Sequence, residues 1–268
     1  MLESLILGIT QGIAEWLPVS SEGLIFLIKS NFFNRGESLV EITQIALWLH
    51  LGTFLAALIY FRHDVIKLVK ALFKFKSASV ELQNTLKFLI ISTLISGVLG
   101  ILLLWLISEI EVTIETSIGV TTKIVTLVIG ILLLVTAFLQ LKAKSIGLRK
   151  TEDLRTSDGI ILGVAQGLAV LPGLSRSGLT ISSLLLLKIN SELALKLSFL
   201  MSLPIVLGGN IILNLEKFSL GWDSFISLFT SFIFGYLTIN ILLKISKKIN
   251  FGWFVLGFGI LMILAYFI

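Results

Sequence analysis

No cysteine occurs anywhere in the 268-residue chain. Disulfides, thiolate catalysis and cysteine-based metal sites are therefore excluded, though the redox compartment stays open. Charge is scarce as well: 14% of residues are charged against 56% hydrophobic, and mean hydropathy is +1.03. Those values lie far outside the range of a soluble domain. The apolar runs are long and unbroken where a β-barrel would need strict alternation, so a barrel is excluded. What remains is an all-α polytopic membrane protein. No basic segment precedes the apolar run Leu2 to Leu17, which carries Gln11 and Glu15, so a cleavable signal is not expected. The net charge of +5 then reports loops on the cytoplasmic side, not a nucleic-acid surface.

Two apolar pieces at the start of the chain are too short to cross a bilayer, which takes roughly 20 residues. Leu2 to Leu17 is the first, Pro18-Val19-Ser20-Ser21 is a break, and Gly23 to Ile28 begins the second. They read as a helix–turn–helix, about residues 1–29, that enters the membrane and returns. A second short pair lies at 158–171 and 174–188. Six spans long enough to cross are expected at about 42–61, 86–107, 122–141, 193–214, 223–243 and 250–268. The expected fold is one membrane domain over 1–268, with six transmembrane helices and two re-entrant hairpins. Its two repeats would cover about 1–141 and 156–268.

Basic residues orient these spans. Arg62, Lys67, Lys70, Lys74 and Lys76 come after the first, Lys142, Lys144, Arg149, Lys150 and Arg155 after the third, and Lys244, Lys247 and Lys248 after the fifth. All three clusters are expected on the cytoplasmic side, which puts 64–80 and 142–156 inside and 30–40 and 108–121 outside. Glu109, Glu111 and Glu115 in the second connection fit that assignment. The hairpins would then enter from opposite sides, and their tips could meet.

The stretch that carries chemistry is Pro172-Gly173-Leu174-Ser175-Arg176-Ser177-Gly178-Leu179-Thr180. Pro-Gly ends one helix, and the residues after it can start another, whose first N–H groups are unpaired and positive. Ser175, Arg176, Ser177 and Thr180 around that start make a cradle for a phosphate-like anion. The competing reading is a loop whose arginine lies among lipid headgroups. A shift of 155 residues superposes Gly8, Gln11, Gly12, Ala14, Ser20, Gly23 and Leu24 on Gly163, Gln166, Gly167, Ala169, Ser175, Gly178 and Leu179. Inverted repeats build midplane sites from broken helices in this way. Glycine-driven helix packing at Gly8/Gly12 and Gly163/Gly167 is the alternative.

In the first hairpin, Gln11 and Glu15 share one helix face at i,i+4 spacing. An ionised residue at membrane depth costs roughly 2.5–3.5 kcal/mol, so Glu15 needs a partner. Arg176 on the opposing tip, or a divalent cation shared with a ligand's phosphates, could serve. A Glu15–Arg176 pair could equally be structural. Glu22 reads as a first-turn helix acid in preference to a second metal ligand. Of the two histidines, His63 lies in a basic loop and is expected to be solvated, whereas His50 lies within a span.

Gly12-Ile13-Ala14-Glu15-Trp16-Leu17-Pro18-Val19-Ser20-Ser21, taken with Pro172 to Thr180, resembles the undecaprenyl-diphosphatase (bacitracin-resistance) family. The resemblance extends over nearly the whole chain. It implies hydrolysis of an undecaprenyl-type diphosphate to the monophosphate at the outer face of the plasma membrane, recycling the carrier for cell-envelope glycans. It also implies dependence on Mg²⁺ or Ca²⁺. Glu15, with Gln11 behind it, would hold the cation. Arg176, Ser20, Gly173, Ser175, Ser177 and Thr180 would hold the diphosphate, and Ser21 or a water would attack. One departure stands out: the family typically reads Ser-Ser-x-Gly-His, and here the pattern is Ser20-Ser21-Glu22-Gly23-Leu24. Leu24, in the histidine position, is expected to face the same cleft as Glu15. His50 is then either a core histidine or a substitute for part of the missing role. A polyprenyl-phosphate flippase that does not hydrolyse, and a lipid-phosphate binding protein, are the other functions kept. The partner in each case is a membrane lipid; homo-oligomer formation is left open.

Overall fold

A computed structural model of the chain describes all residues except 34–36, 38, 118–121, 144–146, 172, 215–220, 247–249 and 268. Pro172, Lys144, Lys247, Lys248 and parts of the two loops expected outside therefore lie beyond the described residues. Among the described residues eleven α-helices run in chain order: α1 Leu2–Ala14, α2 Ser21–Phe32, α3 Leu39–Tyr60, α4 Arg62–Phe73, α5 Val80–Ser117, α6 Thr122–Lys142, α7 Thr156–Leu168, α8 Arg176–Leu186, α9 Ser191–Asn214, α10 Trp222–Ser246 and α11 Gly252–Ala265.

Five of these, α3, α5, α6, α9 and α10, are long and apolar enough to cross a membrane. The chain is an all-helical, multi-pass membrane protein. The expected sixth span, 250–268, is a helix of 14 residues. At 1.5 Å per residue it is about 21 Å long, shorter than a hydrocarbon core of about 30 Å. On α5, Leu94, Val98, Ile101, Leu102 and Trp105 face outward, as a lipid-facing surface requires. The basic stretch expected as a loop at 64–80 contains the amphipathic helix α4, which buries Leu68 and Ala71 and leaves Lys67 and Lys70 exposed.

Both short pairs form. α1 and α2 are joined by a break at 15–20, and α7 and α8 by one at 169–175. Their packing is crossed between the halves of the chain: α1 lies along α10, and α7 lies along α5. Gly12 shows why: a Cβ there would lie 2.8 Å from the backbone of Gly235 and Ser231. Gly163 and Gly167 meet Ile95 and Leu99 of α5 in the same manner. So these glycines do pack helices, whatever else their spacing means.

The base of each hairpin is clamped by a first-turn acid. Glu3 on α1 pairs with buried Lys29 of α2. Asp158 on α7, the residue 155 positions later, pairs with Arg149 at 2.6 Å and caps the N–H of Arg155 at 2.8 Å. The core is divided around the hairpins. One cluster joins Ile25, Phe26, Leu49, Leu133 and Val255; a second gathers Trp16, Ala57, Phe199, Leu203 and Ile239; a third lies under α7 with Phe88, Leu162, Leu184 and Met201.

Candidate active site

The breaks in the two hairpins end in matching caps. Ser20 is the N-cap of α2 and its Oγ accepts from the Gly23 N–H at 3.2 Å; Ser175 is the N-cap of α8 and accepts from the Gly178 N–H at 3.1 Å. Serine at this position satisfies one of the unpaired amides of a helix start. Ser20 has φ 64°, an uncommon left-handed conformation for a residue with a side chain. Gly173, at φ 101°, needs its missing Cβ twice over, because one would lie 2.7 Å from the Ile129 carbonyl oxygen.

The tips meet. Arg176 Nη2 donates to Glu15 Oε1, and Ser177 Oγ donates to the Leu17 carbonyl at 3.1 Å. Arg176 is further held by a contact from Nη1 to the Ser198 carbonyl at 3.4 Å and by the Phe199 ring, 5.8 Å from the guanidinium carbon. Among the described residues, two of its five N–H donors are used in this way, and the others could meet an anion. Phe199 in turn packs on Trp16, whose Nε1 donates to the Gly235 carbonyl at 3.0 Å. The indole is 1% exposed, so the residue after Glu15 anchors the whole tip against α10.

Glu15 is the hub. Its Oε2 accepts from Gln11 Nε2 at 2.8 Å and from Ser21 Oγ at 3.4 Å, and faces His50 Nε2 at 3.1 Å. The other ring nitrogen of His50, Nδ1, lies 2.6 Å from the Ala46 carbonyl oxygen. Both ring nitrogens thus face acceptors, and both can donate only in the imidazolium form. His50 is therefore in the site through Glu15, while His63 is solvent-exposed.

Glu15, His50 and Arg176 line a cleft of about 290 Å³ together with Ser20, Ser21, Glu22, Ser175 and Ser177, with Ala169 and Leu174 as apolar lining. A second cleft of about 210 Å³ shares Glu15, His50 and Arg176 and continues along Phe54, Ala57, Leu203 and Val206. Nothing in the motifs pointed to this second space, because α3 and α9 form it by long-range packing.

Three expectations need correction. Thr180 does not line the cleft: it is 0% exposed, and its hydroxyl bonds to the Arg176 carbonyl at 2.8 Å and the Ser198 hydroxyl at 2.7 Å. Gly173 is spent on the turn and is also absent from the lining. Leu24 does not face the cleft but packs against the cluster around Ile25 and Leu49. Glu22 is a first-turn acid as expected, yet it does line the cleft.

A divalent cation fits this donor set only in part. Among the described residues no three acids or histidines are placed to hold one. Mg²⁺, however, is commonly held by one or two carboxylates and its substrate's phosphates. Glu15 Oε1 accepts from Arg176 alone, and the buried Gln11 Oε1 has no partner among the described residues. Glu15 therefore offers one carboxylate at the cleft, while Gln11, buried and outside the cleft lining, supports that carboxylate from behind.

Comparison with known proteins places the chain in a family. A family model described as "Bacitracin resistance protein BacA" matches residues 4–263. A protein of Methanococcoides burtonii named undecaprenyl-diphosphatase is similar at 42% identity, over 99% of this chain and 98% of its own length. Proteins of the same name from Methanothrix thermoacetophila and Thermosipho melanesiensis are 34% and 35% identical, over 97% and 92% of this chain and 94% and 91% of their own lengths. With a family model and full-length relatives in agreement, the chain belongs to the BacA bacitracin-resistance family.

Proposed function

We propose that the protein hydrolyses an undecaprenyl-type diphosphate to the monophosphate and inorganic phosphate, returning the lipid carrier to cell-envelope glycan synthesis. The observation that carries this reading is the meeting of two helix starts, two capping serines and Arg176 around Glu15 in one cleft. Positioned donors of this kind stabilise the charge that develops on a transferring phosphoryl group. The name carried by the full-length relatives supports it.

Arg176, with the hydroxyls of Ser20 and Ser175, binds the terminal phosphate, while Ser177 and Ser21 brace the tips through Leu17 and Glu15. Glu15 orients Arg176, His50 and Ser21 at once. Glu15, with Gln11 behind it, would hold a divalent cation, Mg²⁺ or Ca²⁺, whose chemistry would be to offset the charge of the diphosphate. The active site faces the outer side, a reading supported by the basic clusters that come after the first and third long spans. Two inverted repeats with re-entrant hairpins 1–29 and 158–188 are supported by the crossed packing of α1 on α10 and α7 on α5.

The expected result is phosphate release from a C55 diphosphate by purified protein, abolished by EDTA and restored by Mg²⁺ or Ca²⁺. In right-side-out vesicles the phosphate collects outside. A flippase that moves the lipid unchanged would release none, and that outcome would end the hydrolase reading.

The second cleft supports a path for the isoprenoid tail between α3 and α9. Val206→Phe narrows that path and is expected to raise KM for a C55 diphosphate about tenfold, or about 1.4 kcal/mol, while a C15 diphosphate is scarcely affected. Equal KM changes for both chain lengths would remove the tail from this cleft.

A further inference from the structure

We propose that Glu22 is the general base of the reaction. The inference rests on the hydrolase reading above and deepens it. Glu22 lines the cleft beside Ser21, Glu15 and Arg176. It accepts no hydrogen bond from any described residue, whereas the other titratable groups of the cleft are already committed. Glu15 is the obvious rival, but it faces an arginine on one oxygen and an amide, a histidine and a hydroxyl on the other. A carboxylate that holds so many donors is stabilised as the anion and takes a proton poorly. His50 has a carbonyl at one nitrogen and Glu15 at the other, so it has no lone pair to offer. Ser21 donates to Glu15, and that base is too weak to draw its proton away. Among the described residues this leaves Glu22 as the uncommitted proton acceptor, with water as the attacking group.

The rest of the first turn fits. Glu22 and position 24 are two residues apart, about 200° around a helix, and Leu24 is turned into the core. A histidine at 24 could not share the face that Glu22 presents. The charged groups facing Glu22 are Glu15 at the end of α1, His50 of α3 and Arg176 of α8.

In the chemical step the water oxygen bonds to the terminal phosphorus while one of its protons passes to a Glu22 carboxylate oxygen. The bond from that phosphorus to the bridging oxygen breaks, and its electron pair leaves with the lipid monophosphate. Glu22 then returns the proton to solvent.

The test compares Glu22→Gln and Glu22→Asp with the unaltered protein in phosphate release from a C55 diphosphate across pH. Glu22→Gln keeps size and removes the base. It is expected to lower kcat at least about 10²-fold with KM little changed, and to lose the rise of kcat/KM with pH on the acid side. Glu22→Asp is expected to recover part of the rate and to keep that rise. Rapid acid quench is expected to trap no phosphoserine at Ser21. Thermal melting in detergent reports whether each variant folds, and the Asp variant decides the matter if the Gln variant does not fold. A folded Glu22→Gln protein with unaltered kcat and pH profile, or a trapped phosphoserine, overturns the assignment. Absence of phosphate release from the unaltered protein would instead overturn the hydrolase reading itself.

Discussion

Arg176→Lys is expected to reduce kcat/KM for phosphate release at least about 10³-fold although the positive charge is kept. Loss of a positioned arginine in phosphoryl transfer costs of that order. The reason lies in how this arginine is spent. One arm reaches Glu15, another approaches the Ser198 carbonyl, and the flat face lies over Phe199. The fork that remains matches two phosphate oxygens at once, and a lysine offers a compact point charge with no such plane. Lysine can still pair with Glu15, so the hairpin tips stay joined. Activity should therefore fall while the melting temperature in detergent changes little. Turnover near the unaltered rate would make Arg176 a headgroup anchor or a strut between hairpins, and the phosphate cradle would lose its centre.

That pairing of tips was legible in the sequence because ionised residues inside apolar runs must find partners, and few candidates existed. Gln11 behind Glu15 follows from i,i+4 spacing. What failed was rotation about a helix axis. Leu24 is placed at the cleft by the linear motif alone, but two residues along an α-helix from Glu22 turn its side chain to the opposite face. Thr180 lies on the same face as Arg176 and should have reached the anion. Instead its hydroxyl bonds back to the carbonyl four residues earlier, a local option that threonine always has inside a helix. The α4 helix is masked by its own basic residues, since only Leu68 and Ala71 of its twelve residues are buried. The second cleft could not be read at all: Phe54 and Val206 come from helices far apart in the chain, and only packing joins them.

The second large effect is expected from Glu15→Gln, with kcat/KM again falling about 10³-fold. The substitution is nearly isosteric, so the loss is electrostatic. Glu15 faces Arg176 from one oxygen and His50 and Gln11 from the other. A glutamine must turn its amide donors toward one of those donor groups, whichever way it flips. It also leaves the arginine and the imidazolium facing each other with no anion between them. Removing one partner from a buried ion pair costs about 3–5 kcal/mol, so the melting temperature should fall here, unlike in Arg176→Lys. The two variants can be combined to separate a shared function from two independent ones. If Glu15 acts by holding Arg176 in place for the phosphate, the double variant should be little slower than the worse single variant, as expected of residues that work as a unit. If each residue meets the substrate separately, the losses multiply. A Glu15→Gln protein that melts lower yet turns over normally well below its melting point would reduce Glu15 to a structural tie between the hairpins.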